Sequence, residues 1–190
     1  MTQPNSIQFN LPEWITRSIE NVEHICELSD RMHFVIAASR QNIVQKTGGP
    51  FAAAIFEIES GRLISLGVNL VTTEGLSILH AEMVAIAIAQ KKMATYHLNP
   101  NYEIVCSAEP CAMCFGAIPW AGISQVVTAA TDADIRAIGF HEGAKVSDWK
   151  SALLARQIAV ITEINRNEAC AVLNEYAESG GVIYNGAESL

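Results

Sequence analysis

Residues 102–121 read YEIVCSAEPCAMCFGAIPWA. The apolar run Tyr102–Ser107 predicts a buried strand. The apolar residues from Cys111 to about Ala121 follow Pro110 and predict a helix. A strand that leads directly into a helix is a building unit of α/β folds. This stretch therefore predicts the α/β class, with a strand-to-helix junction just before Cys111.

The alternation of strands and helices extends in both directions from this junction. Upstream, the spacing of apolar residues between Leu11 and about Lys46 predicts two helices, the second capped by Ser29. The turn-like Glu59-Ser60-Gly61 separates two apolar runs and predicts a β-hairpin. The predicted strands are Phe51–Phe56, Leu63–Asn69, Ile123–Ala129 and Ile158–Thr162, and the further helices are His80–Met93, Trp149–Gln157 and Arg166–Ala177. A hairpin followed by this alternation indicates a layered α/β fold with a mixed sheet.

The composition is that of one folded, acidic domain. The chain has 190 residues, 50% of them hydrophobic and 17% charged, which excludes a disordered protein. We predict a single domain over residues 1–190, with a loose N-terminus of about ten residues. Twelve basic and 20 acidic residues give a net charge of −8. That charge disfavours a nucleic-acid backbone as the partner.

The cysteines indicate a reducing compartment. We see no secretory signal at the N-terminus, and the longest apolar runs are too short to cross a membrane. Five cysteines cannot all pair within one chain. We therefore expect a cytoplasmic protein with reduced thiols, in which Cys26, Cys106 and Cys170 are small buried apolar residues.

Two short motifs carry the candidate chemistry: His80-Ala81-Glu82 and Pro110-Cys111-Ala112-Met113-Cys114. Cys111 and Cys114 share one face in the first turn of a predicted helix, where the helix dipole favours thiolates. With His80 they make three ligands for a tetrahedral metal ion. This ligand set suits one Zn²⁺ ion, with the fourth position left to a catalytic water.

Glu82 gives this metal site a catalytic interpretation. A carboxylate beside a zinc-activated water can accept its proton and pass protons to a ring nitrogen and a departing amine. The order His-x-Glu followed by Pro-Cys-x-x-Cys is the known signature of zinc nucleobase deaminases. We therefore expect hydrolytic deamination with Glu82 as the proton shuttle. The alternative from another class, a zinc scaffold without catalysis, would leave Glu82 without a role and the metal without a fourth protein ligand.

The motifs resemble those of the cytidine deaminase-like superfamily, and the wider chain is most similar to the bacterial guanine deaminases. The segments that carry this likeness are 48–54, 67–69, 114–117, 138–143 and 181–185. The resemblance implies a three-layer α/β/α fold with a five-stranded mixed sheet, one Zn²⁺ ion per subunit and a homodimer. It also implies a role in purine metabolism, with attack at C2 converting guanine to xanthine and ammonia.

The resemblance further implies roles for individual residues. Asn69 is expected to bind the purine edge, while Phe51 and His80 pack against the ring. Glu142 corresponds to a second catalytic carboxylate near the leaving amine, and a C-terminal segment of about 180–190 closes over the site. Because an aromatic ring can cover a flat base, Trp120 is also a candidate. The expected set is Glu82 and Glu142 as catalytic residues, Phe51, Asn69, His80, Ala81, Trp120 and Tyr184 as substrate-binding residues, and His80, Cys111 and Cys114 as metal ligands.

Other substrates for the same chemistry stay open. A tRNA adenosine deaminase shares both motifs, but it must hold an anticodon loop with basic and stacking groups. Here residues 161–190 carry five glutamates and a single arginine, which favours a small neutral base over RNA. Cytosine, guanosine and an aminotriazine such as ammeline remain alternatives, since zinc chemistry does not choose among them.

Overall fold

The centre of the molecule is a mixed sheet. The structure is a computed structural model, and it describes residues 3–185. Its strands are β1 (Ala52–Glu57), β2 (Leu63–Val68), β3 (Tyr102–Ala108), β4 (Gln125–Ala130) and β5 (Ala159–Ile161). Within this part of the chain they form one five-stranded sheet in the order β2-β1-β3-β4-β5. Strand β1 is antiparallel to β2 and β3, whereas β3, β4 and β5 run parallel. The predicted mixed sheet of five strands is confirmed.

Helices cover both faces of this sheet. They are α1 (Glu13–Ile19), α2 (Leu28–Val44), α3 (Val71–Glu74), α4 (Ala81–Met93), α5 (Ala112–Ala121), α6 (Asp132–Ala137), α7 (Trp149–Leu154) and α8 (Arg166–Glu178). One hydrophobic cluster joins α1, α2 and α8 to one face, and a second joins α4, α5 and α7 to the other. Along β1 the side chains alternate between the two clusters, as the pleat of a strand requires. The result is the expected three-layer α/β/α architecture.

The start of the long helix α2 differs from the prediction. The helix begins at Leu28 with Glu27 as its N-cap, and no side chain caps it, so the predicted Ser29 cap is wrong. Arg31 explains the earlier start. Its guanidinium is buried, pairs with Glu103 at 2.5 Å and donates to the carbonyl of Ile25 at 2.7 Å. The tertiary position of this arginine, rather than a local cap, decides where the helix begins.

Gly67 lets α4 lie directly on the sheet. A Cβ atom at Gly67 would lie 2.4 Å from the carbonyl oxygen of Ala81 and 2.4 Å from the backbone nitrogen of Ala85. Only a residue without a side chain permits this approach of helix and strand backbones. The contact therefore fixes the first turn of α4, which follows His80, against β2.

The sheet topology gathers the candidate residues at one edge. Ala52 pairs with Val68 and Ala53 pairs with Cys106, so the start of β1 lies beside the ends of β2 and β3. Phe51, Asn69 and the turn after β3 consequently meet at the same edge. This edge also holds the carboxyl ends of the parallel strands, where open α/β sheets bind their ligands.

The features away from this sheet edge include the N-terminal segment and the cysteines outside the two motifs. Residues 3–10 have no regular secondary structure, whereas residues 1–2 and 186–190, which belong to the predicted loose N-terminus and closing segment, lie outside the described residues. Cys106 is buried as expected, but Cys26 is exposed and Cys170 is only half-buried, so those two predictions are wrong. The exposure of these two cysteines is set by packing between distant elements.

In the described part of the chain, none of the helices has both the length and the apolar character needed to cross a membrane.

Candidate active site

A cavity of about 400 Å³ opens at this edge of the sheet. Its lining includes seven of the residues singled out in the sequence: Phe51, Asn69, His80, Glu82, Cys111, Glu142 and Tyr184. They come from separate segments of the chain. The fold therefore brings most of the predicted site together around one space.

The three predicted metal ligands form a cluster beside the cavity, and two of them, His80 and Cys111, line it. The ligand atoms of His80, Cys111 and Cys114 all lie within 4.8 Å of one another. His80 is the N-cap of α4 and Cys111 is the N-cap of α5, so both helices begin at this point. Zinc in proteins prefers nitrogen and sulfur ligands. His80 offers an imidazole nitrogen, and Cys111 and Cys114 are both buried and offer sulfur atoms. The residues present thus fit a zinc ion.

The surroundings of Cys111 favour the thiolate that a metal requires. The neighbouring Cys114 thiol, and with it His80, lowers the pKa of Cys111 to about 4. The neighbouring Cys111 sulfur, together with burial, raises the pKa of Cys114. A thiolate at the start of a helix also benefits from the positive end of the helix dipole.

Glu82 is a buried carboxyl that stands outside the ligand cluster. It lies in the first turn of α4, lines the cavity and is only 8% exposed. Burial, with a further contribution from the charge of Cys111, raises its pKa above the ordinary value. A carboxyl with a raised pKa can carry a proton closer to neutral pH, as a general acid or base must.

Glu142 reaches the cavity from the loop between α6 and α7. The flanking Gly139 and Gly143 have φ angles of +101° and +73°, which residues with side chains rarely adopt. The carbonyl of Glu142 accepts a hydrogen bond of 2.9 Å from the backbone N–H of Ala112, which joins this loop to the start of α5. Burial raises the pKa of Glu142 to about 8.

Lys145, in the same loop, makes a second contact with the segment just before Cys111. Its ammonium group donates to the carbonyl of Pro110 at 3.1 Å and lies 3.4 Å from a carboxylate oxygen of Glu109. Its side chain is 7% exposed. No pattern in the sequence pointed to this residue, because its partners are 35 and 36 positions away along the chain.

Asn69 supplies an amide to the cavity wall. Its Oδ1 atom accepts a hydrogen bond of 3.2 Å from the backbone N–H of Val71. Its Nδ2 atom is buried and has no hydrogen-bond partner among the described residues. A buried amide nitrogen without a partner is costly in a folded protein, which makes it a candidate donor to a ligand.

Aromatic rings form part of the cavity wall. The ring of Phe140 contacts Phe51 edge-on at 5.2 Å and Tyr184 edge-on at 5.1 Å, measured between ring centroids. The Tyr184 ring lies 6.2 Å from the His80 ring. Phe140 was not predicted as a site residue, although it lies within segment 138–143. Such rings can cover the face of a flat base.

Two expected substrate contacts do not line this cavity. Ala81 is buried at the start of α4 beside it. Trp120 is 84% exposed and lies at the end of α5, about 14 Å along the helix from Cys111. The structure does not bring Trp120 to the cavity of its own chain, because α5 points away from the sheet edge. The prediction that Trp120 and Ala81 contact the substrate is therefore wrong for this cavity.

Comparison with known proteins agrees with this geometry. The family model described as the cytidine and deoxycytidylate deaminase zinc-binding region matches residues 27–130, and the chain belongs to this family. The fold and the site thus define a zinc-dependent hydrolytic deaminase.

Within that class the chain is similar to guanine deaminases. A solved structure of guanine deaminase from Nitrosomonas europaea is 39% identical, with a TM-score of 0.88, and the match covers 94% of this chain and 100% of that one. A further solved structure, in complex with 2,6-diaminopurine, is 42% identical with a TM-score of 0.89, over 95% of this chain and 97% of the other. The curated guanine deaminase of Bacillus subtilis (strain 168) is 41% identical over 95 residues, which are 50% of this chain and 59% of that protein.

Proposed function

We propose that this chain is a guanine deaminase, which converts guanine and water to xanthine and ammonia by attack at the C2 atom of the base. The observation that carries the proposal is one cavity in which the unpartnered Nδ2 atom of Asn69 shares the lining with the buried carboxyls of Glu82 and Glu142. The similarity to a guanine deaminase over 94% of the chain supports it.

His80, Cys111 and Cys114 would hold the zinc ion, as their ligand atoms lie within 4.8 Å of one another. When bound, zinc lowers the pKa of a water molecule to about 7 and so supplies a nucleophile near neutral pH. Three protein ligands would leave the fourth position of a tetrahedral zinc ion to that water.

Glu82 would move the protons of the reaction. As a buried carboxyl with a raised pKa, it accepts one proton from the attacking water and passes it to a ring nitrogen of the base. The oxygen of the water forms a bond to C2, and the C2–N bond to the amino group breaks as that group gains a proton and leaves as ammonia. Glu142, whose raised pKa lets it hold a proton near neutral pH, is the proposed donor at the amino group, and it regains a proton from the oxygen now bound to C2.

Asn69 and Phe51 would recognise the base. Guanine alternates hydrogen-bond donors and acceptors along its edge, and an amide can offer both. The free Nδ2 atom of Asn69 supplies a donor to that edge. The rings of Phe51 and His80, which both line the cavity, would flank the purine. Tyr184 would cover it as part of a closing C-terminal segment.

We further propose that the protein is a single domain over residues 1–190 and acts as a homodimer. Trp120 is 84% exposed, and the half-buried Phe115 and Ala117 lie on the same helix. An exposed tryptophan beside further apolar side chains is typical of an interaction surface, and a partner subunit would give Trp120 a contact. The free cysteines support a reducing, cytoplasmic location.

Ammonia release tests the proposed substrate. The zinc-loaded protein is incubated with guanine, guanosine, adenine, cytosine and ammeline, and with an adenosine-bearing tRNA anticodon loop. The expected result is that guanine is deaminated far faster than the other compounds. Turnover of another compound without guanine would retain the zinc chemistry and refute the substrate. No release from any of them would favour a zinc scaffold.

A further inference from the structure

Asn42 is a fully buried polar side chain in the interior of α2. Its exposed fraction is 0%, and it lies among apolar residues of the core. The Nδ2 atom donates hydrogen bonds of 2.9 Å to the carbonyl of Gly49 and of 2.9 Å to the carbonyl of Asn69. The Oδ1 atom accepts a hydrogen bond of 2.7 Å from the hydroxyl of Thr47. Both N–H groups and the oxygen of this amide are therefore satisfied.

The two carbonyls that Asn42 binds belong to the two segments that carry the proposed base-binding residues. Gly49 lies two positions before Phe51, and Asn69 is itself part of the cavity wall. These backbones are in close contact, since a Cβ atom at Gly48 would lie 1.8 Å from the carbonyl oxygen of Asn69. The backbone N–H of Asn69 also donates to the carbonyl of Phe51 at 3.0 Å. Asn42 thus links both segments by hydrogen bonds to their backbone carbonyls.

These contacts restrict how the Asn69 side chain can point. Its backbone is held on one side by Asn42 and on the other by Phe51, and its Oδ1 atom is held by the N–H of Val71 at 3.2 Å. With the oxygen engaged, only the Nδ2 atom is left free in the cavity lining. Rigid supporting contacts of this kind preorganise a binding group and reduce the entropy lost on binding.

The support continues into the N-terminal helix. The indole N–H of Trp14 donates to the Thr47 hydroxyl at 3.1 Å, and this hydroxyl in turn donates to Asn42. Among the described residues, no side chain of α1 or α2 lines the cavity. A chain of hydrogen bonds therefore links the first two helices to the site.

We propose that Asn42 is a positioning residue that sets the affinity for the base by fixing Asn69. The proposal rests on the proposed function, because it takes Asn69 as the group that binds the purine edge. Loss of Asn42 weakens base binding while the metal ligands and Glu82 keep their places, since none of them contacts it. Loss of an interaction that contributes only to substrate binding raises KM and leaves kcat unchanged.

The test compares three variants by steady-state kinetics with guanine and by zinc content. Asn42→Ala removes both donors to the carbonyls. Thr47→Val keeps these donors and removes the hydroxyl that orients the Asn42 amide and accepts from the Trp14 indole. Ser39→Ala is the matched control, because Ser39 is a buried hydroxyl on the same helix that binds Ile36 and not the site. We expect KM to rise about tenfold for Asn42→Ala, as for the loss of one hydrogen bond, and less for Thr47→Val. The values of kcat, the zinc content and the KM of Ser39→Ala should stay at wild-type level.

A second measurement needs no substrate. The N–H of Val71 is bound by the Asn69 side chain, so its hydrogen exchange reports whether that side chain keeps its orientation. We expect faster exchange at Val71 in Asn42→Ala and Thr47→Val than in Ser39→Ala. An unchanged KM and unchanged exchange would overturn the proposal, as would an equal rise of KM in Ser39→Ala. If the wild-type protein does not act on guanine, the proposed function fails. The positioning of Asn69 by Asn42 is then decided by the exchange rates.

Discussion

The Sγ atom of Cys111 lies 3.4 Å from the Nδ1 atom of His80, although 31 positions separate the two residues in the chain. Each is the N-cap of a helix, and the two helices, α4 and α5, begin at the same edge of the sheet. The positive ends of two helix dipoles therefore meet where a thiolate is needed. The contact follows from the sheet order, in which β1 lies between β2 and β3.

Replacing Cys111 by serine should remove the metal. A serine hydroxyl is a poor ligand for zinc, and two remaining protein ligands hold the ion weakly. We expect zinc content, measured by elemental analysis, to fall far below one ion per chain, and the melting temperature to fall with it. Cys170→Ser, at a half-buried cysteine outside the cluster, is the control and should keep its zinc. Full zinc content in Cys111→Ser would show that the ligand set is different.

Replacing Glu82 by glutamine should abolish most of the activity and keep the metal. The variant cannot accept or donate the proton, and general acid–base catalysis contributes about 10²- to 10⁴-fold to a rate. We expect kcat/KM for guanine to fall by that range at unchanged zinc content. Glu178→Gln, at an exposed carboxylate on α8, is the control. An active Glu82→Gln enzyme would remove Glu82 from the mechanism.

Replacing Glu142 by glutamine should slow turnover to a smaller extent. Glutamine keeps the size of the side chain, and the backbone bond from Ala112 to residue 142 is unaffected. We expect kcat to fall by about 10²-fold, the lower end of what general acid–base catalysis contributes, because a proton donor is lost while the nucleophile is retained. Rapid-quench or ammonia-coupled kinetics measure it. A wild-type rate would reduce Glu142 to a structural carboxyl of the loop.

Two glycines should respond to alanine in opposite directions. Gly67→Ala places a methyl group 2.4 Å from the backbone of α4, and we expect the free energy of unfolding to fall by about 1–3 kcal/mol or more. Gly116 lies inside α5, and no atom lies within 4 Å of the position that a methyl group would take there. Gly116→Ala should therefore raise stability by about 0.4–1 kcal/mol. Urea unfolding of both variants measures the difference. A stable Gly67→Ala protein would contradict the close contact of α4 with β2.

The contact of α6 with α8 should make the fold sensitive to acid. Arg166 donates to Asp134 at 2.8 and 2.9 Å, and these hydrogen bonds hold the pKa of Asp134 well below its usual range. Because the pKa of Asp134 is lower in the folded protein than in the unfolded chain, the charged carboxylate stabilises the fold at pH values above the ordinary carboxyl pKa. This stability is lost as the pH falls towards the pKa of Asp134 in the folded protein. We expect Asp134→Asn to be less stable than wild type at pH 7, with the difference in melting temperature shrinking below about pH 4. Glu59→Gln, at an exposed carboxylate, is the control, and its melting temperature should equal that of wild type at pH 7.

Local patterns predicted most of the secondary structure but missed two of the short helices. The strands and long helices follow apolar runs whose period is set by the backbone itself. Helices α3 and α6 were missed, and the four residues of α3 are too few to show a period. For α6 a signal existed in the capping box formed by Thr131 and Asp134.

The exposure of single residues was the least predictable property. Cys26 and Trp120 are apolar in character, yet they are exposed in this chain. An apolar residue on a helix indicates a buried face only if another element covers that face. Which element does so depends on the packing of distant segments, and for Trp120 we propose a second subunit.

The amino-acid sequence alone specifies the chemistry that this protein can perform. The identities and spacing of His80, Glu82, Cys111 and Cys114 provide the donors for zinc and the proton carrier, because these functions depend on the atoms that each side chain carries. How those atoms act depends on the packing of the folded chain. Burial in a common cavity raises the pKa of Glu82, and the meeting of two helix starts brings His80 to Cys111. Solvation and distance are properties of the packed chain, so no local pattern contains them.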